Sequence, residues 1–158
     1  MSFLPKAASG AGSAFRVLGK VDYRLARNVV VNEYRKGHLS RLDVCDAHPE
    51  LLRAAAAAGE EAQEDCPICE DVKLRLVSYV FGPRIPPSGR CVASQKELDR
   101  LASPGRDLAC YVVEVCPSCA WNHLSQVFSV TASRRASAPP GPARADDRRT
   151  NQQPGDTQ

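Results

Sequence analysis

Apolar residues in the first part of the chain recur every three or four positions, which is typical of one buried helical face. The residues that carry this pattern are Tyr23, Ala26, Val30 and Tyr34. With Asp22 as its cap, the pattern predicts a first helix that runs through Lys36 and stops at Gly37.

A second helix is predicted to start after Asp46 and to run through Leu51, Leu52 and the alanines Ala54 to Ala58. Asp46 can cap this helix, and Pro49 is tolerated in its first turn because a proline there loses no helical hydrogen bond. Gly59 ends it, and the acidic segment 60–65 then leads into a pair of cysteines. We expect the two helices to form a pair.

Beyond these cysteines the apolar spacing changes to every second residue, which predicts an extended strand that ends near Gly82. Two more strands are predicted at 108–115 and 121–130. Ser94 and Glu97 form a capping-box pattern for a short helix over 95–102. The predicted fold class is therefore α+β, an N-terminal helical pair packed on a small antiparallel sheet that resembles a zinc ribbon.

Composition confines the folded part to the middle of the chain. Residues 132–158 contain almost no large apolar side chain, so they cannot offset the entropy lost on ordering and are expected to be disordered. We expect the same of residues 1–21. The predicted organisation is a disordered segment 1–21, a folded domain 22–131 and a disordered tail 132–158.

The net charge of +3 comes from the two ends of the 158-residue chain. The predicted domain 22–131 has 13 basic and 15 acidic residues, so it is slightly acidic. A nucleic-acid-binding domain usually has an excess of basic residues on its folded part. The charge totals give no sign of such a surface.

Two copies of a Cys-Pro-x-Cys motif carry the clearest chemistry in the sequence. They supply four thiols, from Cys66 and Cys69 in the first copy and from Cys116 and Cys119 in the second. Four thiolates at this spacing satisfy the tetrahedral preference of a structural zinc ion. We predict one zinc ion that cross-links distant parts of the chain, so that its binding energy is folding energy.

Other chemistry is compatible with paired cysteines. A redox-active dithiol is one alternative, although it usually occurs once, between a strand and a helix. Iron is the alternative metal, as in rubredoxins, whose knuckles resemble Cys-Pro-x-Cys-Gly where this chain has Glu70 and Ala120 after the second cysteines. Four thiolates leave no open position on zinc, so we expect no enzyme activity.

The remaining cysteines and histidines carry weaker signals. Cys45, Cys91 and Cys110 lack paired spacing, and we interpret them as small apolar residues of the core. His48 and His123 could replace a thiolate, but four cysteines already complete the shell.

Candidate partner-binding residues lie in two places. Trp121 follows the second cysteine pair and is either part of the core beside the metal or an anchor for a partner or a nucleic-acid base. The basic residues of the first helix region form the best basic patch of the domain, although such clusters are more often a solvated surface. They are Arg24, Arg27, Arg35, Lys36 and Arg41.

Several segments resemble a family of small actinobacterial, mycobacterial-type proteins of unknown function. The resemblance spans about residues 21–130 and is carried by Val21 to Asn28, Glu33 to Gly37, Asp43 to Ala54, Glu64 to Cys69, Leu76 to Gly82 and Cys116 to Leu124. It implies a cytosolic, bacterial, zinc-ribbon-like protein and no particular activity.

The sequence thus favours a non-enzymatic zinc-binding protein that acts as an accessory or regulatory module for a macromolecular partner. By analogy with zinc ribbons, the partner is expected in the transcription or translation machinery. The alternatives are a nucleic-acid-binding regulator that uses the Arg-rich first helix, and a thiol-based redox or metal sensor. No secretory signal or membrane-length apolar stretch is visible, so we expect a cytoplasmic protein without membrane contact.

Overall fold

A computed structural model describes residues 15–102 and 106–132 of the chain. Its strands are β1 (Phe15–Asp22), β2 (Glu60–Asp65), β3 (Lys73–Phe81), β4 (Arg90–Val92), β5 (Leu108–Val115) and β6 (Asn122–Ala132). Its helices are α1 (Arg24–Arg35), α2 (Arg41–Val44), α3 (Pro49–Ala58) and α4 (Gln95–Leu101). Among the described residues, no helix is long and apolar enough to cross a membrane.

The strands form one antiparallel sheet with the order β1-β6-β5-β3-β2. Strand β4 shares the outer edge of β3 with β2, because β2 pairs with the first half of β3 and β4 pairs with the second half. The α+β class and the antiparallel sheet predicted from the sequence are confirmed.

The two main helices lie on opposite faces of this sheet. Arg27 of α1 contacts the side chain of Glu114 on β5, whereas Ala55 of α3 packs against Val77 and Val115. Glu114 and Val115 are neighbours on one strand, so their side chains point to opposite faces. The sheet therefore lies between the helices, in place of the helical pair expected from the sequence.

Most elements predicted from periodicity are present. The structure confirms α1, α3, β3 and β6 within about two residues of the predicted bounds, and the bounds of β5 agree with the prediction. Ser94 caps α4 by accepting a hydrogen bond from the Glu97 amide at 3.3 Å. The cap of α3 differs from the prediction, because His48 rather than Asp46 accepts the Glu50 amide.

Three strands and a short helix were not expected from the pattern. Strand β1 pairs with β6 and begins at Phe15, so the folded region starts before the boundary predicted at Asp22. Strand β2 is the acidic segment, and ion pairs with the basic side chains of β3 neutralise part of its charge. Strand β4 and helix α2 were also unexpected. The disorder predicted for 1–14 and 133–158 lies outside the described residues.

The core is divided along the sheet. One cluster lies at the end of the sheet away from the paired cysteines and contains Val80, Leu98, Leu108 and Phe128, among others. A second cluster surrounds the paired cysteines and includes Val31 of α1, Val44 of α2, Leu74 and Trp121. The cysteine pairs are therefore part of a buried core to which α1 and α2 contribute.

Candidate metal centre

The two Cys-Pro-x-Cys motifs occupy the turns of two hairpins. Cys66 and Cys69 lie between β2 and β3, and Cys116 and Cys119 lie between β5 and β6. Because β3 and β5 are neighbours in the sheet, with Arg75 opposite Val115, both turns lie at the same end of the sheet. Strand pairing therefore brings together two motifs that are far apart in the sequence.

The four sulfur atoms of these motifs all lie within 4.8 Å of one another. The Sγ atoms of Cys66 and Cys119 are 3.6 Å apart, and so are those of Cys69 and Cys116. A tetrahedral ion with zinc–sulfur bonds of about 2.3 Å separates its sulfur ligands by about 3.8 Å. All four thiols are free rather than joined in disulfides. Their arrangement therefore fits a four-coordinate metal ion.

Backbone amides of both turns point at the sulfur atoms in the same way. In each turn, the amide of the second cysteine donates to the first sulfur, and the amide two residues later donates to the second sulfur. These pairs are Cys69 to Cys66, Asp71 to Cys69, Cys119 to Cys116 and Trp121 to Cys119. Such hydrogen bonds favour the charged form of a thiol, which is the form that binds metal.

The residue after each second cysteine closes its turn in a left-handed conformation. Glu70 has a φ of 57° and donates its amide to the Cys66 carbonyl at 3.0 Å. Ala120 has a φ of 64° and donates to the Cys116 carbonyl at 3.1 Å. A residue with a Cβ atom is strained in this region by about 1–2 kcal/mol. Both turns therefore hold a conformation that glycine adopts more readily.

Replacing Ala120 by glycine is expected to stabilise the metal-loaded protein by about 0.5–1 kcal/mol, because relief of backbone strain exceeds the added entropy of the unfolded chain. Urea denaturation of the metal-loaded protein measures this change. Ala93→Gly is the matched control: Ala93 also lies outside helices and strands but has no positive φ, so this variant should lose stability. Equal losses in both variants would contradict the prediction.

Burial affects the thiols of the two turns in different ways. Burial raises the pKa of Cys66 to about 11, and it also raises the pKa of Cys119. Burial acts in the same direction on Cys69, but the amide of Asp71 and the neighbouring sulfurs outweigh it and lower the pKa of that thiol. Cysteine binds metal as a thiolate, so a metal ion that binds here would displace protons from at least Cys66 and Cys119.

Cys45 brings a fifth sulfur to the edge of this centre. Its Sγ atom lies 3.5 Å from the Sγ atom of Cys119, and the side chain is half-buried. The guanidinium group of Arg41 interacts with both sulfurs and hydrogen-bonds that of Cys45. The interpretation of Cys45 as an ordinary core residue is therefore incomplete, because its sulfur touches a predicted metal ligand. No motif spacing in the sequence signals this contact.

The other two cysteines and two histidines lie outside the four-sulfur group. Cys110 is fully buried in the core, as predicted, and Cys91 is half-buried on β4. His48 caps α3, and the ring of His123 stacks on that of Trp121 with 5.9 Å between the centroids.

The buried carboxylate of Glu114 on β5 accepts hydrogen bonds from Trp121, beside the cysteines, and from Arg27. Trp121 is only 1% exposed, so its ring belongs to the core beside the cysteines. Its Nε1 atom donates to Oε1 of Glu114 at 2.9 Å, and Nε of Arg27 donates to the same oxygen at 2.5 Å. Glu114 is 4% exposed, and its charge is compensated by the largely buried Arg27. Through Glu114, these hydrogen bonds connect Arg27 of α1 to Trp121, two residues after Cys119.

The other basic residues of the predicted patch are distributed along α1 and α2. Arg24 pairs with Asp22 at 2.8 Å, and Lys36 pairs with Glu33 at 2.9 Å. Arg35 is exposed near the end of α1, and Arg41 begins α2 beside Cys45. Their predicted role in partner binding stays a prediction, and the structure brings only Arg41 near the cysteines.

Fold and site together define a small α+β protein with a four-cysteine centre suited to a metal ion. The chain belongs to a family described as Family of unknown function (DUF5318), whose match spans residues 16–144. This agrees with the resemblance seen in the sequence.

Three mycobacterial proteins are similar to this chain. An uncharacterised protein of Mycobacterium bovis is 40% identical over 121 residues, which cover 77% of this chain and 88% of the relative. Uncharacterised proteins from two strains of Mycobacterium tuberculosis match with the same identity and coverage. No solved structure matches the chain.

Proposed function

We propose that this protein is a non-enzymatic zinc-binding module in which Cys66, Cys69, Cys116 and Cys119 hold one structural zinc ion. The observation that carries this proposal is the clustering of the four sulfur atoms within 4.8 Å at the turns of two neighbouring hairpins. Two such hairpins closed by one ion make the proposed centre zinc-ribbon-like. The ion joins the β2–β3 hairpin to the β5–β6 hairpin and stabilises both.

The chemistry of the ligands favours zinc in a structural role. Four thiolates complete a tetrahedral shell and leave no position for a water molecule or a substrate, which a catalytic zinc requires. The centre is also embedded in the core, because Cys66 and Cys116 are at most 1% exposed. Metal analysis of protein purified without added metal should give one zinc ion per chain, whereas iron would indicate the rubredoxin-like alternative.

A surface on α1 supports a role in binding a protein partner. Leu25 and Val29 are 82% and 60% exposed, and their spacing of four places them on one face of the helix. Exposed polar and basic residues flank them on the same helix, among them Arg24, Asn28 and Arg35. An apolar centre with a polar, arginine-containing rim is the usual composition of a protein interface. We propose that the partner belongs to the transcription or translation machinery of the cytoplasm, by analogy with zinc ribbons.

Ion pairs disfavour nucleic acid as the main partner of this surface. Arg27 is largely buried against Glu114, and Arg24 and Lys36 each have an acidic partner. A cation with an acidic partner attracts phosphate less strongly than a free one. A nucleic-acid-binding protein would also lose affinity steeply as salt rises.

The partner proposal is tested by affinity capture from a mycobacterial lysate with the zinc-loaded protein as bait. We expect a ribosomal or RNA polymerase subunit that resists nuclease and moderate salt. The double variant Leu25→Glu, Val29→Glu should capture at least about tenfold less of it, a loss of about 1.4 kcal/mol. The double variant Ala56→Glu, Ala57→Glu, an equal charge change at exposed residues of α3, is the control and should capture as wild type does. Nuclease-sensitive capture, equal in all three proteins, would contradict the proposal and favour the nucleic-acid alternative.

A further inference from the structure

Cys45 is held beside the second cysteine pair by hydrogen bonds on both sides of it. The amide of Ala47 donates to the carbonyl of Ala120 at 3.0 Å, and the side-chain amide of Asn122 donates to Asp46 at 2.9 Å. These bonds attach the segment after Cys45 to the residues that follow Cys119. The approach of the two sulfurs is therefore built into the backbone of the turn.

The segment before Cys45 is anchored as well. Ser40 and Asp43 form a complete capping box at the start of α2, and Val44 is buried in the cluster around the cysteines. The amide of Cys45 itself donates to the carbonyl of Arg41 at 2.9 Å and ends the helix. A short helix is thus fixed at both ends so that its last residue presents a thiol to Cys119.

We propose that Cys45 is a modification site that reacts with hydroperoxides and forms a disulfide with Cys119, which releases the metal ion. The proposal rests on the zinc function above, because Cys119 is one of its four ligands. Four sulfurs surround the ion, and Cys45 lies outside that group while remaining 3.5 Å from one member. A disulfide needs a sulfur–sulfur distance of about 2.05 Å, so a movement of about 1.5 Å suffices.

The reaction transfers two electrons from the two sulfurs to the peroxide. The sulfur of Cys45 attacks one peroxide oxygen, so that a sulfur–oxygen bond forms, the oxygen–oxygen bond breaks and an alcohol or water leaves with a proton. The thiolate of Cys119 then leaves the zinc ion and attacks the sulfenic acid of Cys45. The sulfur–sulfur bond forms as the sulfur–oxygen bond breaks, and the departing hydroxide takes up a proton to become water.

Exposure and its place outside the four-sulfur group together favour Cys45 as the first sulfur to react. Its side chain is half-buried, whereas Cys66, Cys116 and Cys119 are buried, and Cys69, which is also half-buried, belongs to the group that would hold the ion. The guanidinium group of Arg41 lies beside the Cys45 sulfur, where it can donate a hydrogen bond to the leaving oxygen. Once Cys119 is in the disulfide, three thiolates remain, and the ion loses the closed shell that a structural site requires.

The reaction is tested on the zinc-loaded full chain with hydrogen peroxide as the probe. Zinc release is followed with a chromogenic chelator, and disulfides are located by peptide mass mapping without reduction. The variants Cys45→Ala and Cys45→Ser are compared with wild type, and Cys91→Ser, which removes a half-buried cysteine outside the centre, is the matched control. Circular dichroism before oxidation checks that each variant is folded.

We expect wild type and Cys91→Ser to lose one zinc ion for each Cys45–Cys119 disulfide formed. Adding a dithiol reductant together with zinc should then restore the starting state. Both Cys45 variants should release zinc on the order of tenfold more slowly. Equal release by the Cys45 variants, or disulfides confined to Cys66–Cys69 and Cys116–Cys119, would overturn the proposal. Absence of zinc before oxidation would contradict the proposed function instead, and the disulfide map of wild type would still decide the role of Cys45.

Discussion

Replacing Cys66 and Cys119 together by serine is expected to abolish metal binding and to unfold the cysteine end of the sheet. Structural zinc in small sites contributes about 10–16 kcal/mol of apparent binding free energy at neutral pH. The total stability of a domain is about 5–15 kcal/mol, so few domains of this size tolerate such a loss. Because Cys66 and Cys119 come from different hairpins, the double variant removes one ligand from each turn.

Thermal unfolding and metal analysis of the purified variant measure this effect. We expect no bound zinc and loss of the cooperative transition that wild type shows, and we expect a strong chelator to have the same effect on wild type. Cys91→Ser is the control, because it removes a thiol from β4 without touching the centre, and it should retain one zinc ion. Full thermal stability of the double variant would show that the four cysteines have no structural role.

The second large effect is expected from Arg27→Met. This change removes the cation that compensates the buried carboxylate of Glu114 and leaves a charge inside the core. Breaking one side of a buried pair typically costs about 3–5 kcal/mol. The loss should also weaken the contact between α1 and Trp121, because Glu114 accepts hydrogen bonds from both Arg27 and the indole.

A second substitution separates the charge effect from the loss of packing. In the double variant Arg27→Met, Glu114→Gln, the neutral amide still accepts a hydrogen bond from Trp121, so most of the lost stability should return. Arg24→Met is the matched control, since the pair of Arg24 with Asp22 is exposed to solvent and is expected to contribute little to stability. Urea denaturation of the zinc-loaded proteins measures all three. If Arg27→Met costs no more than Arg24→Met, the buried pair does not stabilise α1.

Features that depend only on residues close together in the sequence could be predicted from the sequence. The Cys-Pro-x-Cys spacing identifies a metal ligand pair locally, because a tight turn brings both sulfurs to one side whatever the rest of the chain does. The alternating pattern of β5 and the helical pattern of α1 also depend on near neighbours. These elements appear in the structure with nearly the predicted bounds.

Strand β2 shows where local pattern fails. Its six residues include four carboxylates, which disfavour a strand in isolation. It becomes a strand because Cys66 and Cys69 turn the chain back and set it beside β3, where Lys73 and Arg75 pair with Asp65 and Glu61. The partner strand supplies the hydrogen bonds and the opposite charges, and neither can be read from the residues of β2 alone.

The sequence by itself determined the four ligands of the proposed zinc centre, because the Cys-Pro-x-Cys spacing of the two motifs is enough to identify them. The structure decided what lies around those ligands. It separated α1 from α3 by a sheet, joined Arg27 to Glu114 and placed Cys45 against Cys119. These contacts span 87 and 74 residues for Arg27–Glu114 and Cys45–Cys119, and they arise from strand order and from the packing of helices on two faces. Local periodicity carries no information about either, so only the folded chain reveals that a fifth thiol adjoins the centre.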